Sequence, residues 1–371
     1  MQSVALALAR AVAAGGATVE RMSLGDALAL GPETWDPLLE LSSAASPFSG
    51  WAWHRAWADS AEPADVAASE AFLMRDAAGA LAAILPLSLR HTKWRRASVT
   101  ALTWSAGDAG CPDHLDFLAA PDADVAALAA ALEAQPWQVA IFDNVADPAP
   151  NIDRLCDALV ERGHRVRRRP LWPCPRLALP DSWEAYLGSL SSSRRQTVRR
   201  KERGLFRDHA VTFTDYADRV GEGWAHLVRL HEQRWSGAGA FREPRVAQLQ
   251  LAFAREMARR GRLWLTTLDV AGQPAAAWYG FSSKDTVYFY QSGRAPEWEG
   301  ASVGAVLMGM MIRRAIERGF RWFDFLRGED PYKRDWTGGQ RVTREVVVFR
   351  SGWRGGLVRA LDWVAERRRH A

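Results

Sequence analysis

The chain contains 371 residues, of which 48% are apolar and 25% are charged, and its formal net charge is +5. This composition is typical of a globular protein with room for two domains, and no apolar run is long enough to cross a bilayer. The modest positive charge permits an anionic ligand but does not require nucleic acid as a partner.

The N-terminal segment and the cysteines indicate where the protein works. Residues 1–15 are rich in alanine and lack the basic start and the long apolar stretch of a signal peptide. We therefore expect a flexible tail over residues 1–15 and no secretion signal. The three cysteines, Cys111, Cys156 and Cys174, are odd in number and widely spaced, so they form neither a disulfide framework nor a metal motif. These features favour a cytoplasmic location.

Two similar stretches of sequence indicate an internal duplication. The segments Asp76-Ala-Ala-Gly79 and Asp269-Val-Ala-Gly272 each lie between two apolar segments, as in a β-hairpin whose turn contains glycine. Each half then continues with a predicted helix and an apolar strand. The predicted strands and helices are 71–75, 80–90, 122–134 and 137–144 in the first half, and 263–268, 275–281, 301–318 and 320–327 in the second. The sequence therefore predicts a mixed α/β unit that occurs twice in tandem.

A proline-rich stretch separates the two halves. Pro170, Pro173, Pro175 and Pro180 exclude a helix there. We expect an N-terminal domain over residues 16–180 and a C-terminal domain over residues 181–371. The C-terminal domain is predicted to contain further elements, namely helices at 194–203, 218–235 and 243–260, a strand at 341–350 and an amphipathic helix at 356–369.

Polar residues cluster where the strand at 320–327 ends. Alternation along this strand places Asp324 on one face with Trp322 and Leu326, where a carboxylate must pair or change its pKa. A glycine and a proline end the strand, and the following loop carries Tyr332 and Lys333. Polar side chains at the end of a strand are typical of α/β active sites, so these residues are candidates for catalysis.

A second candidate site lies where a strand at 285–292 leads through a glycine-bearing loop into the helix at 301–318. The free N–H groups and the positive dipole end of a helix N-terminus favour an anion. The alternative is an ordinary strand-to-helix connection. The candidate anion-binding residues at this helix and on the neighbouring strand are Gly300, Ser302, Val303, Gly304 and Arg327.

His231 is a further candidate, at helical spacing from Trp224, Leu227 and Trp235. A histidine on such an apolar stripe is more often a core residue with one satisfied nitrogen, and a role at the acceptor site is the alternative. Arg234 is expected on the solvated face of the same helix.

The basic run from Arg194 to Lys201 lies on a predicted helix. Its charges repel one another, so the helix could bind a polyanion such as a nucleotide tail, a nucleotide sugar or tRNA. A solvated face neutralised by nearby acids, Glu202 among them, is the alternative.

The segment from Asp324 to Trp336, Asp-Phe-Leu-Arg-Gly-Glu-Asp-Pro-Tyr-Lys-Arg-Asp-Trp, resembles the C-terminal signature of the CelD/BcsL group. These proteins are GNAT-fold acyltransferases associated with cellulose and exopolysaccharide synthesis and are related to the FemAB aminoacyl transferases. The resemblance extends over other segments, which are Ser193-Arg194-Arg195, the stretch from His231 to Trp235, the hairpin at 263–292, Ser302-Val303-Gly304 and, more faintly, residues 47–57.

The resemblance implies two tandem GNAT-like domains, of which the second is catalytic. It implies transfer of an acetyl group from acetyl-CoA to an amine or hydroxyl of a sugar or polysaccharide precursor. In GNAT enzymes the strand–loop–helix element holds the coenzyme A pyrophosphate, although Glu297 here replaces the usual basic or amide residue.

In such a site, Asp324 could orient or deprotonate the acceptor, Tyr332 could protonate the departing thiolate, and Lys333 could neutralise a phosphate or the oxyanion. The structural alternative pairs Asp324 with Arg327 or Lys333, and leaves Tyr332 at the edge of the core.

Two other functions remain open. One is a FemAB-like transferase that uses aminoacyl-tRNA, and the other is a non-catalytic scaffold of a polysaccharide-synthesis system. No metal and no DNA partner is implied.

Overall fold

The computed structural model describes residues 10–12, 16–43, 46–95, 97–235, 239–328 and 330–367. The chain divides into two compact units, unit 1 from residues 1–172 and 342–371 and unit 2 from residues 173–341. Of the expected flexible tail at 1–15, only residues 10–12 lie within the described residues, and they form a strand.

The strands and helices follow one another along the chain. The strands are β1 (Arg10–Val12), β2 (Thr18–Ser23), β3 (Ser69–Arg75), β4 (Leu81–Trp94), β5 (Ala97–Trp104), β6 (Leu118–Ala119), β7 (Val139–Val145), β8 (Arg165–Ala178), β9 (Val211–Asp215), β10 (Leu263–Val270), β11 (Gln273–Ser283), β12 (Thr286–Arg294), β13 (Trp322–Asp324) and β14 (Gln340–Phe349). The helices are α1 (Leu24–Ala29), α2 (Pro32–Leu41), α3 (Trp51–Ser60), α4 (Pro63–Ala67), α5 (Val125–Glu133), α6 (Pro150–Glu161), α7 (Trp183–Ser189), α8 (Ser192–Asp208), α9 (Val220–Trp235), α10 (Pro244–Arg259), α11 (Val303–Glu317), α12 (Pro331–Arg334) and α13 (Trp353–Arg367). None of these described helices combines the length and the apolar character needed to cross a membrane.

The sheet of unit 1 is antiparallel from β1 to β5, with β6 paired to β4. Strand β7 then lies parallel to β5, and β14 lies antiparallel to β7. The parallel step requires a crossover, which contains α5. The turn between β3 and β4 is fixed by Asp76, whose Oδ1 accepts the N–H groups of Ala78 and Ala80 at 2.9 Å, while Gly79 adopts a φ of 84°.

The sheet of unit 2 repeats this strand order. Strands β9 to β12 are antiparallel, β13 is parallel to β12, and the end of β8 is antiparallel to β13. Helix α11 lies in the crossover from β12 to β13, as α5 does in unit 1. Its apolar face, including Leu307 and Ile312, packs against Trp264, Trp278 and Phe323 of the sheet. Helix α9 packs on strands β11 and β12.

The two predicted turns occupy equivalent positions, because 76–79 joins β3 to β4 and 271–272 joins β10 to β11. The predicted mixed α/β unit in tandem is therefore confirmed. The last strand of each sheet, β14 in unit 1 and β8 in unit 2, does not follow the expected domain boundaries. Strand β14 pairs with β7, so residues 342–371, expected in the C-terminal domain, belong to unit 1. The end of β8 pairs with β13 and belongs to unit 2, which puts the division at Trp172 and Pro173.

Candidate active site

A cavity of about 270 Å³ opens in unit 2 beside the N-terminus of α11. Its walls come from the end of β12, from α8, α9 and α11, and from the segment that follows β13. The charged residues among its lining are Arg194, Lys201, Arg234, Arg294, Glu299 and Asp335. Four cations therefore face two carboxylates, and this excess of positive charge suits an anionic ligand.

The start of α11 contributes backbone donors to this cavity. Ser302 precedes the helix with a left-handed φ of 58° and makes no side-chain cap hydrogen bond. The first N–H groups of a helix have no acceptor within it, so those at Val303 and Gly304 are available to an anion. Ser302 and Gly304 line the cavity, as expected. The side chain of Val303 is fully buried in the core, and Gly300 is not among the lining residues.

Strands β12 and β13 separate next to the cavity. They pair only from Thr286 and Trp322 to Tyr288 and Asp324, whereas β12 continues to Arg294. The predicted strand at 320–327 is thus shorter, because Leu326 turns the chain with a left-handed φ of 55°. The separation leaves the later part of β12 without β13 along its edge, and an extended ligand can lie in such a gap.

Arg234, expected on the solvated face of α9, is half-buried and lines the cavity. Its guanidinium donates to the Ser292 hydroxyl at 2.8 Å and lies 5.3 Å from the centre of the Tyr332 ring. Arg194 pairs with Asp335 at 2.8 Å, whereas Arg234 has no carboxylate within ion-pair distance among the described residues. Its charge is therefore available to a ligand.

The phenol of Tyr332 lines the cavity and packs against Phe289. Burial raises its pKa well above the usual value, and the nearby Arg234 opposes this only in part. Tyr332 therefore keeps its proton at any physiological pH. The group can donate a proton or a hydrogen bond but does not serve as a base.

His231 is a buried histidine with both ring nitrogens occupied. Its Nδ1 lies 3.0 Å from the carbonyl oxygen of Ser292, and its Nε2 accepts the backbone N–H of Ala240 at 3.1 Å. This arrangement requires the proton on Nδ1, and burial lowers the pKa of the ring. His231 is therefore neutral and fixes the end of β12, rather than presenting a free base.

Asp324 is completely buried and lies between Tyr288 and Arg176 in the strand register. Its Oδ1 accepts the N–H of Leu326 at 2.8 Å, and its Oδ2 is 4.0 Å from Nε of Arg176. Arg176 in turn stacks on Trp322 at 3.8 Å. This ion partner, Arg176, was missed by the sequence analysis. Asp324 is not among the residues that line the cavity.

Lys333 closes the loop after β13. Its Nζ donates to the carbonyl oxygen of Arg327 at 2.6 Å and lies 3.5 Å from Oδ2 of Asp330. The side chain is buried and does not line the cavity, and neither does Arg327. The structure thus brings Tyr332, Ser302 and Gly304 together at the cavity, while Lys333 holds the backbone behind them.

The basic run on α8 divides between two faces of the helix. Arg194 and Lys201 face the cavity, on the same side as the buried Val198. Arg199 and Arg200 are exposed, and Arg199 pairs with Glu184 at 2.6 Å. Only part of the basic run, Arg194 and Lys201, therefore lines the cavity.

Known proteins share features with this chain. Residues 192–334 match the family described as acetyltransferase (GNAT) domain. The matched residues run from α8 to α12 and include most of the residues that line the cavity. Among curated proteins, none matches the sequence.

Several solved structures share the fold. FemX is 9% identical, with a TM-score of 0.59 over 88% of this chain and 96% of that chain. L-PGS from Bacillus licheniformis is 12% identical, with a TM-score of 0.52 over 87% and 93%. The C-terminal domain of a putative lysylphosphatidylglycerol synthetase from Agrobacterium fabrum is 11% identical, with a TM-score of 0.52 over 92% and 97%. Residues 192–334 are therefore similar to the acetyltransferase (GNAT) domain family, and the chain shares the fold of these solved structures.

Proposed function

We propose that unit 2 transfers an acetyl group from acetyl-CoA to an amine or hydroxyl of a small acceptor, such as a sugar or polysaccharide precursor. The observation that carries this proposal is the cavity at the N-terminus of α11, which combines free backbone N–H groups with an excess of cations. A pyrophosphate is the part of coenzyme A that such a site recognises. The acceptor class rests on the resemblance to the CelD/BcsL group.

The proposed donor site uses four groups. The N–H groups at Val303 and Gly304 bind the pyrophosphate, and Lys201 and Arg234 neutralise its charge. The acyl-bearing arm extends along the gap where β13 leaves β12, towards Tyr332. The negative charge of Glu299 does not oppose this arrangement strongly, because Glu299 is paired with Arg294 at 2.6 Å.

In the proposed reaction, the acceptor nitrogen or oxygen attacks the acyl carbon directly and the carbon–sulfur bond breaks. Tyr332 donates its phenolic proton to the departing sulfur and is reprotonated from water, and the acceptor releases its own proton to water. Asp324, His231 and Lys333 act as positioning residues. Asp324 fixes the turn after β13, His231 fixes Ser292, and Lys333 fixes the loop that carries Tyr332.

An aminoacyl-tRNA donor is the second candidate. The observation that favours it is the outer face of α8, where several arginines are exposed to solvent. These are Arg199, Arg200, Arg203 and Arg207. Many simultaneous phosphate contacts would make such binding fall steeply with salt, unlike the binding of a small anion to the cavity.

Calorimetry with coenzyme A, desulfo-coenzyme A and aminoacyl-tRNA tests the donor. We expect coenzyme A and desulfo-coenzyme A to bind with similar affinity, because the phosphates and not the sulfur supply the binding energy. If only aminoacyl-tRNA binds, the donor is aminoacyl-tRNA and not acetyl-CoA. If none of the three binds, both enzymatic proposals fail and a scaffold role remains.

A further inference from the structure

Helix α13 of unit 1 exposes a row of large apolar side chains. Trp353 is 76% exposed, Leu357 56%, Trp363 55% and Val364 42%. The 3.6-residue repeat of a helix places these four positions on one side of α13. Single exposed apolar residues are normal, but a group of four that includes two tryptophans marks an interaction surface.

The opposite side of α13 is anchored in unit 1. Val358 packs into an apolar cluster of the sheet, and Asp362 is 1% exposed. The carboxylate of Asp362 accepts hydrogen bonds from Arg95 at 3.0 Å and from Arg167 at 2.6 Å. The helix is therefore held in one orientation, and its apolar row faces outward.

The acidic residues of α13 are paired with arginines of unit 1, whereas its arginines are exposed. Its sequence contains two acidic residues, Asp362 and Glu366, and both are paired with Arg95, at 3.0 and 2.6 Å. The arginines Arg354, Arg359 and Arg367 are exposed. Two of them lie over exposed tryptophans, with the Arg354 guanidinium 5.2 Å from the centre of the Trp353 ring and the Arg367 guanidinium 3.8 Å from that of Trp363. The exposed surface of α13 is therefore both apolar and positively charged.

We propose that the exposed face of α13 binds the surface of a membrane that contains anionic lipids. An anchored helix with tryptophan and leucine on its outer side and arginines beside them fits the boundary between headgroups and acyl chains. The arginines attract anionic headgroups, and the sequence adds Arg368 and Arg369 directly after the helix. This interaction is independent of the acyl transfer proposed for unit 2.

Co-sedimentation of the full chain with lipid vesicles tests the proposal. We expect binding to vesicles of phosphatidylcholine mixed with phosphatidylglycerol and none to phosphatidylcholine alone, with a decrease as salt rises. Leu357→Asp should weaken this binding by about tenfold or more, because it removes an apolar group that enters the membrane on binding and adds a charge that anionic lipids repel. The matched control is Leu41→Asp on α2, where the leucine is 58% exposed, and it should bind like the wild type.

Charge reversal supplies an independent measurement. Arg354→Glu combined with Arg359→Glu should weaken vesicle binding by about tenfold or more, whereas Arg207→Glu on the exposed face of α8 should not. All these positions are on the surface, so circular dichroism should show the wild-type fold. The proposal is overturned if the wild-type chain does not bind anionic vesicles, or if the Leu357→Asp and Leu41→Asp variants bind them equally. If the wild-type chain does not bind vesicles but forms a dimer in light scattering, and Leu357→Asp abolishes that dimer, the exposed face of α13 binds a second copy of the chain instead.

Discussion

The guanidinium of Arg234 donates a hydrogen bond of 2.8 Å to the hydroxyl of Ser292. This contact holds a cation from the last turn of α9 beside the end of β12, next to the loop that leads into α11. His231, one turn earlier on α9, accepts from Ala240 and donates to the Ser292 carbonyl. The two residues together fix one wall of the proposed donor site before any ligand arrives, so binding requires little reorganisation.

Arg234→Gln should weaken the binding of coenzyme A by about tenfold or more, because hydrogen bonds to charged groups contribute about 1.5 to 3 kcal/mol. The control is Arg229→Gln, which removes an exposed arginine of the same helix outside the cavity. Calorimetry on both variants measures the effect. Equal affinities for the two variants would remove Arg234 from the donor site.

Tyr332→Phe should leave coenzyme A binding nearly unchanged and reduce turnover by about a hundredfold, because only the proton donor is removed. Since burial raises the pKa of Tyr332, its deprotonation should not cause a loss of activity at the pH where an ordinary tyrosine ionises. Steady-state kinetics over a range of pH provide both readouts. Unchanged turnover in Tyr332→Phe would mean that water or another group protonates the sulfur.

Asp324→Asn should lower the free energy of unfolding by about 1 to 3 kcal/mol, because it leaves the half-buried charge of Arg176 without its carboxylate. The double variant with Arg176→Gln should recover part of this loss. For a positioning residue, turnover per folded molecule should fall by less than about tenfold, and the pH profile should keep its shape. A loss of a hundredfold in a stable Asp324→Asn protein, with one limb of the profile missing, would instead show that Asp324 moves a proton.

Asp116 of unit 1 makes stability depend on pH. Burial raises its pKa from 3.8 to about 7, although its carboxylate accepts the N–H groups of Phe117, Asn151 and Ile152. Because the folded pKa lies above the unfolded value, the folded state binds more protons between these limits. The contribution of Asp116 to stability is therefore largest at low pH and is lost as pH rises from about 4 to about 7.

The check is urea denaturation of the wild type and of Asp116→Asn at several pH values. The wild type should lose stability relative to Asp116→Asn as pH rises through this window. A difference between the two proteins that stays constant with pH, or grows in favour of the wild type, would contradict the expectation.

Local patterns in the sequence predicted about half of the strands and helices. The Asp and Gly residues of 76–79 and 269–272 identified both hairpin turns, and the predicted helix at 243–260 matches α10 to within one residue at each end. The short length of β13 was missed because it depends on the left-handed backbone of Leu326, a residue type that seldom adopts it.

These local patterns could not predict strand pairing or contacts between residues that are distant in sequence. Strand β14 is apolar enough to fit either sheet, and only its pairing with β7 places it in unit 1. At the site, helical spacing predicted the burial of His231 but not its bond to Ser292, which is 61 residues away in sequence. The same spacing assigned Arg234 to solvent, because the polar end of α9 meets its partners only in the folded unit. Ser302 and Gly304, two of the residues predicted to bind an anion at α11, both line the cavity, and the anion site itself stays a prediction.

The most direct test of the donor site is calorimetry of coenzyme A on Gly304→Glu. A Cβ at Gly304 would lie 3.5 Å from the Arg294 side chain, an ordinary contact, so the variant should fold and should place a carboxylate in the cavity. The control is Gly221→Glu, which adds the same charge at a position on α9 where a Cβ meets nothing within 4 Å. We predict that Gly304→Glu loses about a hundredfold or more in affinity for coenzyme A, because the added carboxylate obstructs the backbone N–H groups and repels the phosphates, while Gly221→Glu binds like the wild type. Wild-type affinity in a folded Gly304→Glu protein would contradict the placement of the donor phosphates at the N-terminus of α11.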